Sequence, residues 1–259
     1  MKEKLIKALI LDMDGVLWRD SEPIGDIRDI FRAIQRKGWR TGFITNNATR
    51  TVDFYTRKLR QFGVEVDESQ VLTSAQATGE YLLNLFPAGG KVYIIGEEGL
   101  IRILGEYGFV HSDDRPQAVV VGLDRDLTYE KMRRATLHLR AGALFFGTNP
   151  DPTLPTPDGI IPGAGSILAA VEVASGCKPT ILGKPNPEIY RLALARLGCT
   201  PEQTLVIGDR LDTDIVGGVA SGCQTALVFS GDIQPKDLEQ SEIQPDYVAA
   251  DLASLIRIL

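Results

Sequence analysis

The run Lys7-Ala8-Leu9-Ile10-Leu11 ends abruptly at Asp12-Met13-Asp14-Gly15. Four apolar or small residues without charge, Ala8 to Leu11, read as a strand buried on both faces, as in parallel sheets covered by helices. Side chains alternate along an extended chain, so Asp12 and Asp14 leave the strand end on the same side, with Met13 turned away. Two carboxylates that close repel unless a cation or a shared proton offsets them. The spacing therefore points to a metal, to an acid and base pair, or to both. Asp and Gly are also ordinary turn residues, and a polar strand exit is the competing reading of this stretch taken alone.

Downstream, Ile24, Ile27, Ile30, Phe31 and Ile34 recur at helical spacing before Gly38, and Thr41 to Thr45 forms a second short strand ending at Asn46-Asn47. A helix with Phe54, Tyr55, Leu59 and Phe62 then stops at Gly63. Strand, helix, strand, helix is the pattern of a parallel sheet covered on both faces. The pattern restarts near Thr78 with apolar strands at 92–95, 118–121 and 144–146, separated by helical patterns at 97–107 and 128–140. The proline-rich stretch Thr148 to Gly159 reads as a long ordered loop, and a helix over 164–175 closes this second α/β unit at Gly176. The last third alternates again, with strands at 180–182, 204–208, 225–229 and 247–250. The expected fold is α/β, a Rossmann-like parallel-sheet core over 1–77 and 178–259 with an inserted α/β domain over 78–177.

The 259 residues suffice for two such domains, and 44% hydrophobic with 24% charged residues is ordinary for a globular chain. A net charge of -6 argues against nucleic acid or an anionic membrane as a general partner. Cys177, Cys199 and Cys223 show no CxxC spacing, which speaks against a disulfide framework or a zinc site. The N-terminal stretch before Asp12 holds no apolar segment long enough for a signal peptide or membrane span, so a cytoplasmic location is expected. His111 and His138 lie in no plausible partner motif, which leaves histidine-based catalysis little to draw on.

Four apolar runs end at polar clusters: Asp12 and Asp14, Thr45 and Asn46, Lys184, and Asp209 with Asp214. In an open parallel sheet ligands collect at the carboxyl ends of the strands, so clusters spread along the chain can converge on one crevice. Taken singly, Thr45 reads equally as a helix-capping hydroxyl, Lys184 as a surface charge, and Asp209 and Asp214 as an acidic first helical turn.

Together these clusters resemble the four motifs of the haloacid dehalogenase superfamily of phosphohydrolases: a DxD strand end, a Ser/Thr strand end, a lysine and an acidic GDxxxxD-type element. They stand here as Asp12-Met13-Asp14-Gly15, Ile44-Thr45-Asn46-Asn47, Gly183-Lys184-Pro185-Asn186-Pro187 and Gly208-Asp209-Arg210-Leu211-Asp212-Thr213-Asp214. The stretches DGVLW, TNN, TNPDPTLPTPDG and GKPNPEIY, with the large insert between the second and third motifs, resemble the NagD and 4-nitrophenylphosphatase group and its type C2 cap.

The resemblance implies a phosphatase for small phosphate monoesters. Unaided hydrolysis of these is so slow that roughly 10²¹-fold acceleration can be required. Asp12 is then the nucleophile that forms an aspartyl-phosphate, and Asp14 the general acid and base. Thr45, the Asn46 N–H and Lys184 bind the phosphoryl group. Because Asp12 would repel a phosphate dianion, a hard divalent cation is required, and Mg²⁺ suits an all-oxygen site. Family precedent gives its ligands as the carboxylates of Asp12 and Asp209 and the backbone carbonyl of Asp14. Asp214 holds a water of the metal or orients Lys184, with Asp212 the competing choice for that fourth-motif position. In the cap, Asp124, Asn149 and Asp151 are candidates for substrate contact, and equally turn residues. The resemblance leaves open a homodimer, since such caps often mediate dimers, and leaves the ester open among 4-nitrophenyl phosphate-like compounds, sugar phosphates, nucleotide monophosphates and phosphoglycolate. The competing class is a module that accepts phosphate on Asp12 without turnover.

Overall fold

The computed structural model describes residues 6–156, 158–231 and 233–259. The first five residues, read above for a leader, and Pro157 of the proline-rich stretch lie outside the described residues. From the N-terminal end, β1 (Ala8–Leu11) leads to a short hairpin, β2 (Trp18–Arg19) and β3 (Glu22–Pro23), then α1 (Ile27–Arg36), β4 (Arg40–Thr45), α2 (Val52–Gln61) and β5 (Val71–Thr73). Next come α3 (Ser74–Leu85), β6 (Gly90–Ile95), α4 (Glu98–Glu106), β7 (Phe109–His111), β8 (Ala118–Val121) and α5 (Tyr129–Arg140). They are followed by β9 (Leu144–Gly147), a hairpin of β10 (Thr153–Thr156) and β11 (Gly159–Pro162), α6 (Ala164–Ser175) and β12 (Thr180–Ile181). The last elements are α7 (Pro187–Leu197), β13 (Thr204–Gly208), α8 (Val216–Ala220), β14 (Gln224–Val228), α9 (Pro235–Glu239), β15 (Tyr247–Ala249) and α10 (Leu252–Ile258).

The chain forms two compact units, one of residues 1–45, 52–72 and 184–259, the other of 46–51 and 73–183. The divisions fall a few residues from 77/78 and 177/178 for a local reason. Helix α3 starts at Ser74, where Thr73 accepts the Gln76 N–H as a cap, and its Ala75 and Leu82 are buried in the second unit's core. Strand β12 likewise pairs with β9 of the second unit, through Thr180 opposite Phe146.

In the first unit the sheet order is β15-β14-β13-β1-β4-β5. Strand β1 runs parallel to both neighbours, with Leu11 opposite Ile207 on β13 and Phe43 on β4. It is buried along its whole length, as an uncharged run of four must be in a central strand. The core joins Leu9 and Leu11 to Phe31, Phe43, Leu205 and Ile207. Helix α1 enters it with Ile27, Ile30, Phe31 and Ile34 on one face, and Asp26 caps it by accepting the Asp29 N–H at 3.0 Å.

The second unit is a parallel sheet of order β12-β9-β8-β6-β7. Its two faces follow the two-residue alternation of β6: Val92 and Ile94 pack with Leu100, Ile103 and Leu104, while Tyr93 and Ile95 pack with Leu139, Leu168 and Val171. The proline-rich stretch is not loop throughout, because β10 and β11 pair antiparallel with Pro155 opposite Ile160. A proline is tolerated there because a two-stranded ladder leaves each strand an edge. No described helix is long and apolar enough to cross a membrane.

Candidate active site

Three neighbouring strands of the first unit deliver the polar tips. Asp12 follows β1, Thr45 ends β4 and Asp209 follows β13, and the register puts these ends side by side. The chain proceeds from β1 to β4 on one side and reaches β13 on the other, a switch point where a crevice opens at the carboxyl ends.

Lys184 stands at the centre of the charge. Its Nζ lies 2.9 Å from Asp12 Oδ1 and 2.7 Å from Asp214 Oδ1, with the lysine side chain 3% exposed. Burial works against its charge, but the carboxylates of Asp12 and Asp214 outweigh burial and hold the ammonium above the ordinary lysine range. Asp12 Oδ1 also accepts the Met13 N–H at 2.8 Å, so one oxygen of this carboxylate is fixed from two sides. Asp214 is occupied on both oxygens, by Lys184 and by the Arg210 N–H at 3.2 Å.

Asp209 completes the cluster. Carboxylate oxygens of Asp12, Asp209 and Asp214, all buried, lie within 4.8 Å of one another. Burial, then the charges of Asp12 and Asp214, push Asp209 up to about 8, and burial pushes Asp214 up to about 6. Three buried carboxylates, two of them paired with one ammonium, form an electron-rich pocket of hard oxygen donors, which is what Mg²⁺ binds. The donor set therefore fits that ion.

Burial distinguishes the two candidates for the fourth-motif position. Asp214 is fully buried, whereas Asp212 is 66% exposed and pairs with the Arg210 guanidinium at 2.9 Å. A π-helical turn over Leu211–Ile215 swings Asp214 inward, as such widened turns often do at functional sites.

Sequence reasoning missed the partner of Asp14. Trp18 Nε1 donates to Asp14 Oδ1 at 2.7 Å, and Lys58 Nζ stands 4.0 Å from the centre of the Trp18 ring. The signal was present in the DGVLW stretch, where a buried tryptophan needs an acceptor for its N–H.

In the second unit Asn46, Asn149 and Asp151 come together. The Asn46 carbonyl accepts Ser74 Oγ and Asn149 Nδ2, both at 2.8 Å, and Asn46 Nδ2 donates to Asp151 Oδ2 at 3.0 Å. Asp124 makes a different set of contacts. Its buried carboxylate accepts the Asp126 N–H at 3.0 Å and pairs with Lys131 at 2.7 Å, which closes the turn into α5.

A doubly wound parallel sheet with a lysine-bridged carboxylate cluster at its switch point has the makings of a phosphate-handling site. Residues 9–110 match the haloacid dehalogenase-like hydrolase family and residues 181–255 a HAD-hydrolase-like family. An acid sugar phosphatase of Staphylococcus aureus is 37% identical over 254 residues, covering 98% of both chains. The crystal structure of a 4-nitrophenylphosphatase from Thermotoga maritima matches with a TM-score of 0.93 and 36% identity over 98% of this chain and 97% of that one. A glycerol phosphate phosphatase from Mycobacterium tuberculosis, solved in complex with magnesium, matches with a TM-score of 0.89 and 35% identity over 97% of this chain and 77% of that one. The chain belongs to the haloacid dehalogenase-like hydrolases, in their NagD and 4-nitrophenylphosphatase group.

Proposed function

We propose that this phosphoric monoester hydrolase is Mg²⁺-dependent and cleaves small phosphate esters, of the sugar or polyol phosphate kind, through a phosphoryl group carried on Asp12. The observation that carries the reading is the bridge from Lys184 to Asp12 and Asp214 beside Asp209. An ammonium locked between two carboxylates keeps its charge and its place, as neutralising a transferring phosphoryl group demands.

Asp12 attacks phosphorus and the ester P–O bond breaks. Asp14 gives its proton to the departing alkoxide, then takes one from the water that attacks the phosphorus of the aspartyl-phosphate. That second attack breaks the bond to Asp12, releases inorganic phosphate, and returns Asp12 as a carboxylate and Asp14 as the protonated acid. Because Lys184 and the Met13 N–H both fall on Asp12 Oδ1, Oδ2 is the oxygen left for the attack. The Thr45 hydroxyl and the Asn46 N–H donate to the phosphoryl oxygens. Asp214 keeps Lys184 aimed. The carboxylates of Asp12 and Asp209 and the carbonyl of Asp14 would hold Mg²⁺, which supplies positive charge against the repulsion between nucleophile and phosphate.

The second unit takes the role of the cap that selects the leaving group. Within it, Asn149 and Asp151 hold the two ends of Asn46, the carbonyl and the side-chain amide.

Asp12→Asn tests this directly. The variant should fold and release no phosphate from 4-nitrophenyl phosphate. Retained turnover, or full wild-type activity in excess EDTA, would contradict the reading.

A further inference from the structure

The carboxylate of Asp209 is walled by backbone. Gly15 and Gly231 both approach it so closely that a Cβ on either would collide with the carboxylate group, and Gly15 also sits at φ +79°, which a larger residue rarely adopts. These two walls come from distant parts of the chain and are tied together twice. Ser230 Oγ donates to the Gly15 carbonyl at 2.7 Å, across 215 positions of sequence. Arg19 Nε donates to the Ser230 carbonyl at 2.7 Å and Arg19 Nη2 to the Gly231 carbonyl at 3.2 Å. The circuit closes on the hairpin itself, because the Gly15 N–H donates to the Trp18 carbonyl at 2.8 Å. A guanidinium suits this task, since its planar fork can hold two successive carbonyls where an ammonium acts as a single point.

We propose that Arg19 is a positioning residue which, through Ser230 and Gly231, fixes the slot around Asp209 and so gives the site its preference for Mg²⁺ over larger divalent cations. The inference rests on reading Asp12 and Asp209 as cation ligands. Mg²⁺ demands near-ideal octahedral geometry at about 2.0–2.1 Å, whereas Ca²⁺ accepts irregular shells at about 2.3–2.6 Å. A slot whose walls are free to part loses the first ion more than the second.

The test is calorimetric titration of the metal-free full chain with MgCl₂ and with CaCl₂. Arg19→Ala should weaken Mg²⁺ binding about tenfold and Ca²⁺ binding about twofold or less, so that the preference falls about fivefold. Arg19→Lys should lie between wild type and Arg19→Ala. Ser230→Ala, which cuts the tie to Gly15 without touching the hairpin, should shift the preference in the same direction, and it carries the test alone if Arg19→Ala does not fold. Chelator-treated Arg19 variants should unfold within a few degrees of wild type, because Arg19 is exposed. Equal weakening of both ions, or no change in either, overturns the inference while leaving the metal site intact. Failure of the wild-type chain to bind Mg²⁺ overturns the metal reading itself and this inference with it.

Discussion

The indole N–H of Trp18 donates to Asp14 Oδ1 at 2.7 Å, four residues along the chain from the carboxylate it holds. Asp14 is thereby kept in one orientation, as the proposed role of acid and base requires. Trp18→Phe keeps the buried ring, which packs 5.9 Å from Phe62, and removes only the donor. For alkyl phosphates, whose alkoxides need a proton to leave, kcat should fall about tenfold. For 4-nitrophenyl phosphate, whose leaving group departs as a stable anion, the fall should be much smaller. Equal losses on both substrates would deny Trp18 this role.

Lys184 is shared by Asp12 and Asp214. Lys184→Met leaves two buried carboxylates facing each other, and breaking a buried pair in this way costs about 3–5 kcal/mol. Urea unfolding of the metal-free protein at pH 7 should show a loss of that order, and phosphate release should disappear with it. A variant as stable as wild type would mean that the bridge contributes nothing to the fold.

Asp209, pushed up to about 8 mainly by burial, gives the metal-free protein a pH dependence of definite sign. Between the ordinary aspartate range and about 8 the folded state binds a proton that the unfolded state has lost, so stability is present in full at low pH and falls as pH rises through that window. Asp214, at about 6, acts in the same direction. Unfolding in EDTA should therefore become easier from pH 5 to pH 8.5, and added Mg²⁺ should stabilise more at the upper end, where no proton competes for the ligands. A metal-free stability that rises across this range would contradict the burial argument.

His111 contributes with the opposite sign in the second unit. Burial pushes its pKa down, and its Nδ1 accepts the Ile94 N–H at 3.0 Å, a bond that a proton on that nitrogen abolishes. The contribution is complete above the ordinary histidine range and lost as pH falls below it. Hydrogen exchange at the Ile94 amide, corrected for its intrinsic rate, should quicken as pH drops from 7 to 5. Unchanged protection would remove His111 from the account of acid sensitivity.

Much of the fold was legible because each strand tip carries its own local signal. Ala8 to Leu11 announces a buried strand, and Asp12, Thr45 and Asp209 announce where strands stop being apolar. What could not be read depends on contacts between distant residues. Nothing in Arg19 or Ser230 singles them out until the fold joins them across 211 positions. Asp212 and Asp214 look alike in sequence, and only the widened turn separates the buried one from the exposed one. The prolines of 150–157 hid the β10 and β11 pairing, because an edge strand tolerates what a central strand does not. Asp124 pairs with Lys131 and closes its own turn, contacts that its place in the sequence does not announce.

Passage of the phosphoryl group through Asp12 is open to a direct test. Acid quenching during turnover, followed by borohydride reduction and peptide mass spectrometry, converts an aspartyl-phosphate into homoserine. Homoserine is expected at position 12 in a substrate-dependent amount and at no other aspartate. Its absence from position 12 under conditions of rapid phosphate release, or its appearance at Asp14 or Asp209, would contradict the account.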